Sequence, residues 1–128
     1  MLPADAAKRY FTMSLQAASK EQVLLTLYDT AIQEANWATD AIRCRDLEAK
    51  TRHLHRVSTI LSELINALDH KIAPEFCMHL LELYLYMKRR LTEASTNLEA
   101  EAAEEVARLL AGLREAWRQA ASAKDPAP

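Results

Sequence analysis

Glycine and proline are almost absent from the interior of this chain. Its 128 residues include one glycine and four prolines, and Pro3, Pro126 and Pro128 lie at the chain ends. Tight turns and β-hairpins depend on these residue types, because glycine supplies positive φ angles and proline fixes φ within a turn. A chain of single-domain length without them is predicted to be helical throughout.

Charge and cysteine content exclude several classes of protein. Sixteen basic residues stand against eighteen acidic ones, and the two signs are interspersed, so a nucleic-acid partner is not expected. Cys44 and Cys77 are too few for a disulfide framework, and no apolar segment follows Lys8 and Arg9 as it would in a secretion signal. Apolar runs also stay short of the roughly 20 residues that a membrane span needs. The sequence therefore predicts a cytosolic protein without membrane insertion.

Four amphipathic segments follow a short N-terminal region. Residues 1–18 show no sustained period and are expected to form a mobile arm, or an extra short helix, over the rest of the chain. Apolar periodicity then predicts helices over about 19–44, 46–69, 74–94 and 97–121, and a frayed tail over 123–128. Because the connections are short, successive helices should run antiparallel. The predicted fold is an all-α, up-down four-helix bundle over residues 19–122.

Helix-start signals support these boundaries. Ser19 and Thr96 each precede a Gln or Glu by three positions, which is the pattern of a capping box. Asp46 is a favourable N-cap residue, and Pro74 suits the first turn of a helix because its missing N–H would have no partner there.

The predicted helices carry more apolar surface than one shared core requires. A core-facing stripe spans little more than about 100°, whereas the apolar positions of the third predicted helix sweep roughly 220° and those of the first roughly 200°. Trp37 stands outside its stripe altogether, and Met78 and Met87 would suit an adaptable contact surface. Either the N-terminal arm covers this excess apolar surface, or the surface forms a groove for another protein's amphipathic helix.

Catalytic and metal-binding patterns are weak. Glu75 and His79 are spaced one residue too far apart for the Glu-x-x-His pair of di-iron bundles. The other histidines and cysteines fall on different predicted segments, which disfavours zinc. Neither cysteine has a glycine-rich phosphate loop beside it. We therefore expect no enzyme activity, no cofactor and no metal.

A histidine phosphotransfer domain is the main alternative from another functional class. Such a domain would use His53 or His55 as phosphate acceptor, with Arg56 neutralising the phosphoryl charge. Leu54 and Val57 flank these histidines, whereas a phosphotransfer domain needs a small neighbour so that its partner can approach. A generic helical-bundle adaptor remains the second alternative.

Three segments resemble the flagellar secretion chaperones that bind flagellin. They are YFTMSLQAASKEQVLLTLYDTAI from Tyr10 to Ile32, LYLYMKRRLTEAS from Leu83 to Ser95, and LLAGLREAWRQA from Leu109 to Ala120. The chain departs from the family pattern at Ala17, Lys20 and Thr30, and it lacks the glycine pair before the third helix. These departures leave open a divergent paralogue with another client.

The resemblance implies a cytosolic export chaperone. Such a protein binds the C-terminal region of flagellin, prevents premature polymerisation and helps to deliver flagellin to the type III export apparatus. It also implies an N-terminal arm, containing Tyr10, that lies over the bundle until the client displaces it. Contact with the export gate or with other flagellar regulators, and dimerisation of the free protein, stay open.

The edges of the apolar stripes predict where the client binds. The stripe edges give Leu25, Ile32, Ile60, Leu64, Leu81 and Leu85 as candidate contact residues, and the resemblance adds Tyr10 through the arm. Trp117 is assigned to the core. An ion pair between Asp29 and Arg89 or Arg90 is expected to join the first and third predicted helices.

Overall fold

The computed structural model describes residues 4–14 and 18–123, and these form five helices with no β-strand among them. The helices are α1 (Ala4–Ser14), α2 (Ala18–Arg43), α3 (Leu47–Asn66), α4 (Pro74–Asn97) and α5 (Ala100–Ala123). The all-α prediction is confirmed, and residues 4–14 are helical. The prediction for the tail falls almost entirely outside the described residues, as does the side chain of Ser19 with its capping box.

The start signals of α3 and α4 are present in the structure. The side chain of Asp46 accepts a hydrogen bond from the backbone N–H of Ala49 at 3.1 Å, which satisfies one free donor of the first turn. Pro74 occupies the first turn of α4, as expected from its missing N–H.

The turn between α4 and α5 differs from the prediction. Helix α4 continues through Thr96 to Asn97, so the predicted capping box at Thr96 is wrong. Leu98 closes the helix in the left-handed conformation, with φ of 53°, and its N–H donates to the carbonyl of Ala94. The N–H of Glu99 donates to the same carbonyl at 3.2 Å. Backbone groups therefore close α4 without a side-chain cap.

The four longer helices surround one apolar core. Helix α2 packs against α3 and α5, and α4 packs against the same two helices, so α2 and α4 lie diagonally across from each other. The largest fully buried side chains are Tyr28, Tyr84, Phe11, Leu61, Leu80, Met87 and Leu110. Trp117 is 4% exposed, so its predicted core position is confirmed.

Alanine residues let α2 and α5 pack more extensively than any other pair of helices. Helix α2 contributes buried alanines at 31, 35 and 38, and α5 contributes them at 102, 103 and 107. Small side chains at a helix contact shorten the distance between the axes. Helices α4 and α5 pack together less extensively.

The predicted ion pair of Asp29 involves a different helix. Its carboxylate accepts from Arg114 Nε at 2.5 Å, which joins α2 to α5 rather than to α4. Arg90 instead donates from Nε to Glu105 at 2.7 Å, and the guanidinium of Arg89 lies 5.7 Å from the centre of the Tyr86 ring. The prediction was wrong because α2 and α4 lie diagonally across the core. Within the described ranges, no helix is both long and apolar enough to cross a membrane.

Candidate functional site

Helix α1 docks through two consecutive aromatic residues. Phe11 is 1% exposed, and its ring centre lies 4.1 Å from that of Trp117 on α5 and 5.7 Å from that of Phe76 on α4. The Tyr10 ring lies 5.0 Å from that of Phe76. The Phe11–Phe76 pair is edge-to-face and the other two pairs are tilted, and close aromatic contacts add to the stability gained from the area they bury. The N-terminal segment is therefore packed between α4 and α5 at one end of the core.

The Tyr10 hydroxyl also ties α1 to the turn between α3 and α4. It accepts a hydrogen bond from the backbone N–H of Asp69 at 3.2 Å. The Cys77 thiol donates to the carbonyl of the same Asp69 at 3.3 Å, and burial raises the pKa of this thiol. Helix α1 thus has both an apolar and a polar attachment.

A buried hydrogen-bond network lies beneath α1. Trp117 Nε1 donates to the Tyr28 hydroxyl at 2.9 Å, and the hydroxyls of Tyr28 and Tyr84 share a further hydrogen bond. Burial raises the pKa of both tyrosines, so both stay neutral. The network joins α2, α4 and α5, and it fixes Trp117, on which Phe11 of α1 packs.

An open groove of about 700 Å³ continues from α1 between α4 and α5. It is lined by Ala7, Phe11, His79, Glu82, Leu83, Arg108, Leu109, Gly112, Leu113 and Ala116. Leu83 and Leu109 are each only partly buried. The groove is thus largely apolar, and α1 lies at one of its ends.

Opposite charges flank this groove. Glu82 is an exposed residue on the α4 wall, and Arg108 lies on the α5 wall with 67% of its side chain exposed. Arg108 is 3.7 Å from Glu104 on its own helix, a solvent-exposed pair of low energy. Both charges are therefore available to a molecule in the groove.

Polar contacts hold α4 and α5 together near the turn that connects them. Glu105 accepts from the Tyr86 hydroxyl at 2.8 Å and from Arg90 Nε at 2.7 Å. Desolvation opposes the ionisation of Glu105, but the bonds from Arg90 and Tyr86 outweigh it and lower its pKa. These contacts fix the two helices beside the apolar groove.

The seam between α2 and α3, across the core, is built differently. Glu34 is 4% exposed and accepts from His53 Nδ1 at 2.6 Å and from Arg56 at 3.0 Å. Desolvation opposes its ionisation, yet these two bonds lower its pKa below the ordinary value. Trp37 is 45% exposed, with its ring centre 5.4 Å from that of His53. His53, a candidate phosphate acceptor, is thus engaged by a buried carboxylate.

The predicted contact residues differ in their exposure. Tyr10, Ile60 and Leu64 are buried, Leu25, Ile32 and Leu81 are half-buried, and Leu85 is 42% exposed. Tyr10 and Leu64 border one small cavity of about 20 Å³. Among the described residues that line the large groove, none is a predicted contact.

The sequence pattern predicted contacts on α1, α2, α3 and α4, and none on α5. Leu83 belonged to the wide stripe of α4, and Leu109 and Leu113 to the stripe of α5, but none of them was predicted as a contact. The adjacent pair Leu109 and Leu110 was the available signal, because neighbouring leucines on a helix lie about 100° apart, so one of them can lie at the edge of the core-facing stripe. In the structure Leu110 is buried and Leu109 borders the groove.

The described residues offer no metal centre. In ranges 4–14 and 18–123, no three His, Cys, Asp or Glu side chains meet in a way that would hold a metal ion.

Comparison with known proteins identifies one family. The sequence profile of flagellar protein FliS matches residues 3–124. The chain is 34% identical to the flagellar secretion chaperone FliS of Salmonella typhimurium over 124 residues, which cover 93% of this chain and 92% of the relative. It is 30% identical to the protein of that name from Bacillus subtilis over 111 residues, covering 87% and 82% of the two chains. The corresponding Escherichia coli protein is 26% identical over 107 residues, covering 83% and 79%.

Proposed function

This chain belongs to the FliS family of flagellar secretion chaperones, which is not a family of enzymes, and we propose that its client is the C-terminal region of flagellin. On this proposal the chain binds flagellin in the cytosol, prevents premature polymerisation and helps to deliver it to the type III export apparatus. The family assignment also removes the reason to favour a phosphotransfer role for His53 or His55.

One observation carries the choice of site: α1 is a helix already bound in the groove between α4 and α5. It inserts Phe11 among Phe76 and Trp117, and the groove continues beyond it with leucines on both walls. A surface that accepts one amphipathic helix of the chain can accept a helix of another protein. We therefore propose that the client helix lies along this groove and replaces α1 at its end.

The chemistry of such a client follows from the groove. A segment that is disordered when alone and helical when bound would order on the leucine walls, and part of the interaction energy would offset that ordering. While bound, its apolar stripe would be shielded from other flagellin subunits. This shielding is the physical basis proposed for the block on polymerisation.

The remaining expectations also become proposals. We infer that α2 to α5 form the antiparallel up-down bundle, because each packs against two of the others. Leu25, Ile32, Leu81 and Leu85 keep exposed surface and stay proposed client contacts. Ile60 and Leu64 are buried, so the client would reach them only after a rearrangement. The export gate, other regulators and a second copy of the chain stay proposed partners.

Calorimetric titration tests the function. We expect the C-terminal segment of a flagellin from the same organism to bind the purified chain with a negative heat-capacity change, the mark of apolar burial. A scrambled segment of identical composition is the matched control. Absence of binding by the native segment, or equal binding by the scrambled one, would argue for a generic helical adaptor instead.

A pair of substitutions tests the site. Leu109→Asp puts a charge on the groove wall at a partly buried position, and we expect it to weaken binding by at least about tenfold while the helical circular dichroism is kept. Leu47→Asp, at a position that is 52% exposed on α3, is the control and should leave affinity unchanged. Equal effects of the two changes would contradict the assignment of the groove.

A further inference from the structure

The only glycine of the chain lies in an unfavourable place. Gly112 is near the middle of α5, flanked on both sides by helical turns. Glycine inside a helix is destabilising relative to alanine, because the unfolded chain has more backbone freedom to lose. Alanine is abundant in this helix, so its absence from position 112 calls for a physical reason.

The described fold supplies no such reason. A Cβ atom placed on Gly112 meets nothing within 4 Å among the described residues. Its φ angle is not positive, so alanine would adopt the same backbone conformation without strain. Neither internal packing nor backbone geometry explains glycine at this position.

The open groove offers a reason for the absence of a side chain at position 112. Gly112 lines the groove, and Arg108 and Ala116, one helical turn away on either side, line it as well. Helix α1, which is seated in the same groove, contributes Ala7 and Phe11 to the lining. The groove therefore leads from a helix-binding contact already made by the chain to a position where α5 has no side chain.

We propose that Gly112 is the point where a client helix crosses α5 in close contact, which makes it a specificity-determining residue. This inference rests on the proposed function and concerns the same groove. Without a Cβ at the crossing, the client helix can approach the α5 backbone closely, and its apolar stripe can contact Leu109 and Leu113 together. Close approach at a residue without a side chain raises the contact area of both flanking leucines.

The charges beside the groove set which way round the client helix lies. Glu82 on the α4 wall favours a lysine or arginine of the client, and Arg108 on the α5 wall favours an aspartate or glutamate. The expected occupant is an amphipathic helix with an apolar stripe, a basic edge toward α4 and an acidic edge toward α5.

Two substitutions at Gly112 test the inference. Gly112→Ala should raise the thermal midpoint of the free chain and yet weaken the binding of the flagellin C-terminal segment by a few fold. Gly112→Leu should weaken binding by about tenfold to a hundredfold, the cost of forcing extra methylenes into a close contact. Ala111→Leu is the matched control: its neighbouring position is exposed and does not line the groove. It should bind within about twofold of the unmodified chain.

The outcomes separate this inference from the proposed function. If the unmodified chain binds the segment and both Gly112 variants bind equally well, the close crossing is overturned and the chaperone function stands. If the unmodified chain does not bind, the proposed function fails and the inference fails with it. Circular dichroism checks folding, and should Gly112→Leu lose helicity, Gly112→Ala alone decides.

Discussion

The seam between α2 and α3 and the groove between α4 and α5 lie across the core from each other. Polar contacts close the seam, whereas the groove stays open. A buried carboxylate closes the seam, where Glu34 binds His53 and Arg56 and Trp37 lies against His53. Leucines line the groove, which stays open beyond Phe11.

The contrast shows how the chain separates stability from binding. Glu34, His53 and Arg56 satisfy one another at the seam, so these polar groups need no further partner. Apolar walls that face an open groove lower their free energy only when another surface covers them. Helix α1 provides that cover at one end, and the rest of the groove is where we place the client.

The two tryptophans give the largest predicted difference between these regions. Trp117→Ala should lower the free energy of unfolding by about 3–5 kcal/mol, because it opens a cavity beneath α1 and removes the donor to Tyr28. Trp37→Ala should cost less than about 1 kcal/mol, since nearly half of that side chain is exposed. Urea denaturation measures both, and similar losses would contradict the assigned environments.

Removing the buried carboxylate should give the next largest effect. Glu34→Ala leaves His53 and Arg56 without their partner, and we expect a loss of about 1–3 kcal/mol in the free energy of unfolding. Binding of the flagellin segment should stay within about twofold of the unmodified chain, because the seam is remote from the groove. A loss of affinity without a loss of stability would place the client on the seam.

The pH dependence of stability tests the same role of Glu34, and the expected effect is smaller. The folded-state pKa of Glu34 is lower than its unfolded value, so the ionised carboxylate stabilises the fold above the unfolded pKa of about 4.3. That contribution is lost as pH falls through the folded pKa. The stability difference between the unmodified chain and Glu34→Gln should therefore shrink between pH 7 and pH 3. A difference that stays constant or grows on acidification would show that the ionised carboxylate of Glu34 is not the source of this stability.

Loosening α1 should have the smallest effect on global stability. Phe11→Ala removes the ring between Phe76 and Trp117 that anchors α1, while the contacts among α2, α3, α4 and α5 stay in place. We expect little change in the denaturation midpoint, faster amide exchange in α1 and a few-fold gain in affinity, because α1 competes for the groove. Weaker client binding would instead assign Phe11 to the client contact.

The sequence predicted the fold class better than the site, and particular residues show why. Scarce glycine and the apolar periods predicted helices, and Asp46 and Pro74 cap or begin them as expected, because these effects act within one or two turns. The partner of Asp29 was missed because it depends on which helices are neighbours. Thr96 was misassigned because backbone bonds to Ala94 close α4 beyond it.

The site demanded information on the packing of whole helices. The width of the apolar stripe indicated two contact faces on α4. It could not tell whether Leu83 or Leu85 lines the groove, because that depends on how α4 is rotated about its axis relative to α5. An N-terminal helix over the bundle was expected, but its anchor Phe11 was not, since Tyr10 and Phe11 are two buried residues in a segment too short to show a period.

Hydrogen exchange by mass spectrometry, on the chain alone and with the C-terminal segment of flagellin, tests the central claim most directly. With the segment bound, we expect slower exchange over residues 79–83 and 108–116, faster exchange over residues 4–14, and unchanged exchange over residues 34–56. Protection confined to residues 34–56, with both walls of the groove unchanged, would contradict it.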